Sequence, residues 1–263
     1  MDFAALRKTY RDDGVVFLPG ALDGRALADA QAAYDWSIAH PGPAASTFKQ
    51  HSDATFYQDL YNPGCVAAYR AMLEASPLPR LIADIWQTPD VWFMYEQVFL
   101  KEGGESRRTP WHQDSSYLTV AGDDLAVAWI TFDAVAKADS LEFVRGSHKG
   151  PLYNGSRFEL DDDTAPLHPT SDMPRLPDIE AARDKFDIVS FAVAPGDLVL
   201  FHPAMLHGGA PTHPGQRRRT LTLRFFGERS FYDQRPGRAG PRRSGSSMTQ
   251  GDAFRDESFL KLA

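Results

Sequence analysis

The sequence has a single cysteine, Cys65, in 263 residues. One cysteine excludes an intramolecular disulfide framework and is typical of a protein kept in a reducing compartment. No apolar run approaches the roughly 18 residues of a membrane-spanning helix. The charged opening MDFAALRKTYRDDG also lacks the apolar centre of a secretory signal. We therefore expect a cytoplasmic protein that does not enter the membrane.

The sequence also lacks an excess of positive charge. With 28 basic and 35 acidic residues, the chain carries a formal net charge of −7. That balance argues against nucleic acid or an anionic membrane as the main partner. Hydrophobic residues make up 43% of the chain, which suffices for an ordinary globular core. The composition therefore predicts a globular protein whose main partner is neither nucleic acid nor a membrane.

The N-terminal third has no internal repeat and shows mostly helical periodicity. Four helices and one short strand are predicted there: helices at 3–12, 22–39, 64–75 and 78–87, and a strand at 15–18. The segment 44–60 is polar and aromatic without a clear period. Loops of that length are usually functional lids or disordered. Both interpretations stay open for it, a substrate lid or a mobile loop.

After Pro89 the chain becomes rich in residues that favour β-strands. Strand-like runs separated by turn residues are predicted at 91–99, 126–133, 141–144, 188–194, 197–202 and 219–226. Such a series is typical of a sandwich or barrel. We predict one mainly β domain over residues 1–263, with a helical portion to about 88 packed on a β core at about 89–230. An acidic surface insertion at 161–185 and a loose tail at about 233–250 complete it.

The run Trp111-His112-Gln113-Asp114 carries the most chemical information. On a β-strand, residues i and i+2 point to the same face, so His112 and Asp114 would lie side by side. An imidazole and a carboxylate together supply two of the three ligands of a facial iron(II) site that keeps positions open. The pair therefore predicts part of a metal centre.

The third ligand should come from a distant strand. His202 and His207 both follow the apolar run 198–201, and His207 precedes two glycines that permit close approach of backbone or ligand. A 2-oxo acid co-substrate would also need an arginine for its far carboxylate. Alternation in the run 217–223 puts Arg218 with the threonines on one face and the leucines on the other. The pattern leaves open which face points inward.

Five segments resemble the phytanoyl-CoA dioxygenase family of iron(II)- and 2-oxoglutarate-dependent oxygenases, in the family's order and over roughly residues 95–227. They are WHQDSSYL at 111–118, AWITF at 128–132, LEFVRGSHK at 141–149, PGDLVLFHPAMLHGG at 195–209 and RRTLTLRFFG at 218–227. The resemblance implies a double-stranded β-helix, or jelly roll, with a helical N-terminal region packed on it. It also implies iron(II), 2-oxoglutarate as co-substrate and O2.

Position by position, the resemblance assigns His112, Asp114 and His207 as iron ligands. The family places its 2-oxoglutarate arginine eleven residues after the distal histidine, and 218 − 207 = 11 selects Arg218. Trp129 matches a tryptophan that lines the co-substrate pocket. Gln97 resembles a polar pocket residue of some members.

The implied activity is hydroxylation of an unactivated carbon, with release of succinate and CO2. Related halogenases replace the carboxylate with a small residue, so the presence of Asp114 favours hydroxylation. The substrate class would be a small organic acid, an acyl thioester or a secondary metabolite. Five residues are candidates for substrate contact: Phe48, Lys49, His51, Tyr57 and Arg107.

Two other functions remain open from the sequence. One is a cupin-like jelly-roll metal enzyme that does not use 2-oxoglutarate, for which Arg218 would be dispensable. The other is a non-catalytic module that binds a ligand without producing succinate.

Overall fold

The computed structural model describes residues 2–49, 54–104, 106–159, 161–209, 211–235 and 247–263. Within these ranges the chain forms four α-helices: α1 Phe3–Asp13, α2 Gly24–Ala39, α3 Cys65–Ala75 and α4 Leu78–Trp86. All four lie where the helical periodicity predicts them. The carboxylates of Asp2 and Asp23 accept hydrogen bonds from backbone amides in the first turns of α1 and α2. These N-caps fix where the two helices begin.

The described strands are arranged in two main antiparallel sheets and one short strand pair. Their bounds are β1 Val15–Leu18, β2 Ser46–Lys49, β3 Thr55–Leu60, β4 Val91–Glu102, β5 Thr109–His112, β6 Val120–Gly122, β7 Leu125–Thr131, β8 Leu141–Val144, β9 Ile188–Ser190, β10 Leu198–Phe201, β11 His207–Gly209, β12 Arg218–Gly227, β13 Ser230–Tyr232 and β14 Leu260–Lys261. The major sheet has the order β1-β10-β7-β12-β4-β3-β2, with β14 also paired to β4. The minor sheet has the order β5-β11-β8-β9, and β6 pairs with β13.

The two main sheets pack face to face, and their inner faces share a hydrophobic cluster. Val127 and Phe201 contribute from the major sheet and Phe143 from the minor sheet, all fully or almost fully buried. This is the mainly β jelly roll that was expected, with helices packed on one side, and the prediction of fold class is confirmed.

The opposite face of the major sheet packs against the helices. Tyr69 and Ile82 from the helices share a second buried cluster with Val98, Leu221 and Leu223 from the sheet. Because both faces of β12 are covered, its leucines point to the helices and the alternating residues point into the space between the sheets. This arrangement settles which face of β12 carries the functional side chains.

The interpretation of residues 44–60 as a loop or lid is wrong for the described part of that segment. Strands β2 and β3 form a hairpin, and β3 pairs with β4 from Thr55 opposite Glu102 to Leu60 opposite Gln97. With β1, this hairpin gives the N-terminal portion three strands of the major sheet, so that portion is not purely helical. The sequence missed the hairpin because these partly exposed strands show no clean alternation of apolar and polar residues.

The segment 161–185 is more than a surface insertion. Leu176 and Ile179 are buried against Trp111 and Val144, so the segment covers the outer face of the minor sheet. Residues 236–246, in the predicted loose tail, lie outside the described part of the chain. No helix in the described ranges is both long and apolar enough to span a bilayer. The assignment of the chain to one domain stays a prediction.

Candidate metal centre

The two histidines of the site lie opposite each other on neighbouring strands. His207 on β11 is the register partner of His112 on β5, and their ring centroids are 4.2 Å apart. The glycines after His207 permit this close pairing. A Cβ on Gly208 would lie 3.0 Å from the carbonyl oxygen of Thr109, and one on Gly209 would lie 2.9 Å from the Cα of Leu141. The His-Gly-Gly sequence therefore allows β11 to fit between its two neighbours.

Asp114 reaches the histidines from a turn rather than from a strand. Strand β5 ends at His112, and a 3-10 helix begins at Asp114. Gln113 between them keeps an extended backbone, with φ −117° and ψ 123°, so the alternation of side chains continues across it. The buried Gln113 amide donates to the carbonyl of Ala204 at 2.8 Å and accepts from the amide of Tyr153 at 2.8 Å. These bonds anchor the chain while His112 and Asp114 point together.

His112, Asp114 and His207 form a group whose ligand atoms all lie within 4.8 Å of one another. Asp114 Oδ1 lies 3.4 Å from His112 Nε2 and 3.8 Å from His207 Nε2. Each histidine donates from Nδ1 to a backbone carbonyl, of Pro110 at 2.8 Å and of Met205 at 3.0 Å. Those bonds fix the tautomers and leave the Nε2 lone pairs facing Asp114. Two nitrogens and one oxygen arranged on one side of a metal ion suit iron(II), because they leave its remaining coordination positions open.

Arg224 holds the other oxygen of the Asp114 carboxylate. Its Nη2 donates to Asp114 Oδ2 at 2.7 Å, and its Nε lies 3.2 Å from the same oxygen. Gln97 accepts a further bond from Nη2 at 2.9 Å, and the guanidinium lies 4.5 Å from the ring centroid of Tyr95. The two oxygens of the Asp114 carboxylate therefore have different roles: Oδ1 faces the histidines, and Oδ2 accepts hydrogen bonds from Arg224.

Burial and charge set the protonation states of the group. Burial alone would raise the pKa of the Asp114 carboxyl, but Arg224 and the two histidines outweigh it and hold that pKa well below its usual range. Burial, reinforced by the neighbouring His112, lowers the pKa of His207 to about 3. The group therefore offers an ionised carboxylate and a neutral His207 at neutral pH, the forms that bind a metal.

Arg218 lies on the same face of β12 as Arg224, with two threonines between them. Its guanidinium donates to the backbone carbonyls of Asp139 and Pro211, both at 2.8 Å, and the side chain is 8% exposed. Trp129 on β7 is the register partner of Thr222 and is also buried. Arg218 and Trp129 therefore lie on the strands that form the inner wall behind the metal group.

Among the predicted contact residues, Gln97 lies beside the site through its bond to Arg224. Tyr57 does not: its side chain packs with the helix-side cluster, because alternation on β3 turns it away from the space between the sheets. Arg107 donates to the carbonyl oxygen of Glu159 at 3.1 Å and forms an ion pair with Asp163. It therefore anchors the neighbouring loop. The structure describes the backbone of Phe48 and Lys49, which belongs to β2, but not their side chains. His51 lies wholly outside the described residues.

The loop that Arg107 anchors places an aromatic side chain over the metal group. Phe158 is 42% exposed, its ring centroid lies 5.4 Å from that of His112, and it stacks on Tyr117 at 6.0 Å. Its φ of 56° is in the left-handed region, which bulky residues rarely adopt. Sequence reasoning missed Phe158 because nothing in its local pattern distinguishes it. Arg224 was missed although alternation from Arg218 places it on the same face.

A sequence profile and several solved structures place the chain among known proteins. A sequence profile described as phytanoyl-CoA dioxygenase (PhyH) matches residues 10–220, which is more than half of the chain. A search of curated proteins found no match.

Solved structures share the fold over almost the whole chain. The epimerase SnoN, crystallised with Fe3+, alpha-ketoglutarate and nogalamycin RO, has a TM-score of 0.75 and 18% identity, covering 99% of this chain and 98% of its own. The carbocyclase SnoK from nogalamycin biosynthesis has a TM-score of 0.70 and 17% identity, covering 98% and 96%. AviO1 from Streptomyces viridochromogenes Tue57 has a TM-score of 0.61 and 22% identity, covering 91% and 97%. At these identities the likeness shows a shared fold.

Proposed function

Because this chain belongs to the phytanoyl-CoA dioxygenase family, we propose that it is an iron(II)- and 2-oxoglutarate-dependent oxygenase acting on a small organic molecule. The observation that carries the proposal is the group His112, Asp114 and His207, with its fixed tautomers and its ionised carboxylate. Iron bound there would oxidise an unactivated substrate carbon with O2, while the co-substrate 2-oxoglutarate is converted to succinate and CO2. The protein's own share is binding, orientation and exclusion of competing reactions.

Each part of the site has a distinct task. His112, Asp114 and His207 would hold the metal from one side, leaving the other side for the co-substrate and oxygen. Arg218 would bind the far carboxylate of 2-oxoglutarate, for which a planar guanidinium is well suited. Trp129 would form the wall beside it, and Gln97 would act through Arg224 on the orientation of Asp114. Arg224 is therefore a positioning residue in this proposal.

The substrate side of the site combines an aromatic surface with polar atoms that have hydrogen-bonding capacity. Phe158 and Tyr117 provide the aromatic surface beside His112. Three of the buried polar atoms that have no hydrogen-bond partner within the described residues lie in this region: Thr222 Oγ1 and Arg224 Nη1 on β12, and Tyr61 Oη on the ring that contacts Tyr95. A molecule with an apolar face and polar substituents, such as a secondary metabolite, matches both features.

Hydroxylation is the proposed outcome because Asp114 occupies the position that halogenases leave open. SnoN and SnoK, which share the fold, are an epimerase and a carbocyclase. We expect hydroxylation, epimerisation and ring formation at such a site to differ in how the substrate is placed. The choice among them therefore depends on substrate contacts such as Phe158, and product analysis decides it.

The test is anaerobic addition of iron(II) and 2-oxoglutarate to the purified protein. We expect a metal-to-ligand charge-transfer band, and in air succinate should form when a metabolite screen supplies the substrate. Replacing Arg218 with methionine should weaken 2-oxoglutarate binding by about 10- to 100-fold, since a charge-assisted, bidentate contact is lost. Arg217→Met, immediately before β12 and 56% exposed, is the matched control.

Two results would count against the proposal. A folded, iron-loaded protein that gives no band with 2-oxoglutarate is not an enzyme of this class. If Arg218→Met instead leaves turnover unchanged, a jelly-roll metal enzyme without 2-oxoglutarate becomes the better description.

Phe158 offers a second variant that separates the substrate from the co-substrate. Phe158→Asn removes the ring and retains a residue that tolerates positive φ. We expect kcat/KM for the substrate to fall by roughly tenfold, which corresponds to the loss of one aromatic contact of about 1.4 kcal/mol. Binding of iron and of 2-oxoglutarate should not change. Weakened iron binding in Phe158→Asn would instead assign the ring to support of His112.

A further inference from the structure

Lys101 on β4 lies directly opposite Arg218 on β12 in the strand register. Side chains of such antiparallel partners lie on the same face and close together. Both are buried, with Lys101 7% and Arg218 8% exposed. Like charges placed directly opposite each other destabilise a sheet, and burial increases that cost. The structure thus maintains two neighbouring cations on the inner face of the major sheet at an energetic cost.

The ammonium of Lys101 has only weak contacts within the described part of the chain. Its Nζ lies 3.5 Å from the carbonyl oxygen of Arg107, a long distance for a hydrogen bond, and 4.6 Å from the ring centroid of Phe56. Burial, with Arg218 nearby, lowers the pKa of Lys101 to about 7. Neither contact brings a negative charge to the ammonium.

Asp139 is the carboxylate whose negative charge favours the Arg218 cation, and its oxygens already accept hydrogen bonds from other side chains. Its oxygens accept from His213 and from Gln216, both at 3.1 Å. Arg218 itself uses the backbone carbonyls of Asp139 and Pro211. These contacts orient the guanidinium from one side, and Lys101 approaches Arg218 from the neighbouring strand.

We propose that Lys101 is a second binding residue for the co-substrate and holds, together with Arg218, the far carboxylate of a 2-oxo dicarboxylic acid. This inference rests on the proposed function. A carboxylate has two oxygens, which a planar guanidinium and a mobile ammonium can bind at the same time. The bound anion also offsets the repulsion between the two cations.

The pair should make the site selective for dicarboxylic over monocarboxylic 2-oxo acids. It should also make affinity depend on pH. The charged group facing Lys101 is Arg218 from β12, while Phe56 from β3 and the Arg107 carbonyl are uncharged. Only the protonated amine attracts the carboxylate, so affinity should weaken as pH rises above about 7.

The experiment compares two ligands on two proteins. Iron(II)-loaded wild type and Lys101→Met are titrated anaerobically with 2-oxoglutarate and with 2-oxopentanoate, which has a methyl group in place of the far carboxylate. The readout is the dissociation constant from the charge-transfer band, so no turnover is needed. Lys101→Met should weaken 2-oxoglutarate binding by about tenfold or more at pH 7 and change 2-oxopentanoate binding by less than about twofold. Lys8→Met, on the exposed face of α1, is the control.

The possible outcomes separate this inference from the proposed function. If wild type binds 2-oxoglutarate and Lys101→Met lowers affinity for both ligands equally, Lys101 is only structural and the inference fails. The inference also fails if Lys101→Met loses no affinity. If wild type gives no band with either ligand, both proposals fail. Lys101→Arg, which keeps the charge, should retain selectivity, and from pH 7 to 9 the affinity of Lys101→Met should decline less than that of wild type.

Discussion

Replacing Asp114 with alanine is expected to reduce iron affinity by more than about 100-fold and turnover to background. Loss of a supporting residue outside the ligand set typically costs about 10- to 100-fold in metal affinity, and Asp114 is itself a proposed ligand. The substitution also leaves Arg224 as a buried cation without its carboxylate partner. Iron binding is measured by anaerobic calorimetry and turnover by succinate release.

Asp162→Ala is the matched control for Asp114→Ala, because Asp162 is a surface carboxylate paired with Arg175. We expect the control to bind iron as the wild type does. Parental iron affinity in a folded Asp114→Ala protein would exclude Asp114 from the ligand set and require another carboxylate.

Replacing Arg224 with methionine should produce the second large effect, on both stability and the metal. Removing one partner of a buried ion pair typically costs about 3–5 kcal/mol of unfolding free energy, because the other charge stays buried and uncompensated. Asp114 would also lose the contact that directs Oδ2 away from the histidines. We therefore expect iron affinity to fall by about 10- to 100-fold as well. Urea unfolding of the metal-free protein and iron titration measure the two effects separately.

A double variant tests whether the cost arises from the ion pair. Asp114→Ala combined with Arg224→Met removes both charges, so its loss of unfolding free energy should be smaller than the sum of the two single losses. Arg217→Met controls for the loss of an arginine next to β12, and its effect should be within about 1 kcal/mol for an exposed pair. Strict additivity in the double variant would show that Arg224 and Asp114 are not energetically coupled.

The sequence predicted the elements and the motif where the relevant rule is local. Helix periodicity placed the four helices, and alternation of two residues brought His112 and Asp114 to one side. That second inference held although β5 ends at His112, because the extended backbone of Gln113 preserves the alternation. Local rules work at this range because each depends only on backbone geometry within a few residues.

Two predictions failed where the neighbouring strand matters more than the local pattern. The hairpin of β2 and β3 lacks a clean alternation, yet β3 gains its hydrogen bonds from β4. Tyr57 was assigned to the substrate, but the same pairing turns it to the helix side. Pairing with a distant strand adds hydrogen bonds and buried area that no short window of sequence contains.

The sequence by itself determined the fold class, the family resemblance and the metal pair, because these depend on local patterns and motif spacing. Only the tertiary structure decided that His207 lies opposite His112, that Arg224 holds Asp114 and that Lys101 lies beside Arg218. The last two contacts join residues more than 100 positions apart, 224 − 114 = 110 and 218 − 101 = 117. Their formation depends on strand register and on burial of both faces of β12, which are properties of the assembled sheets.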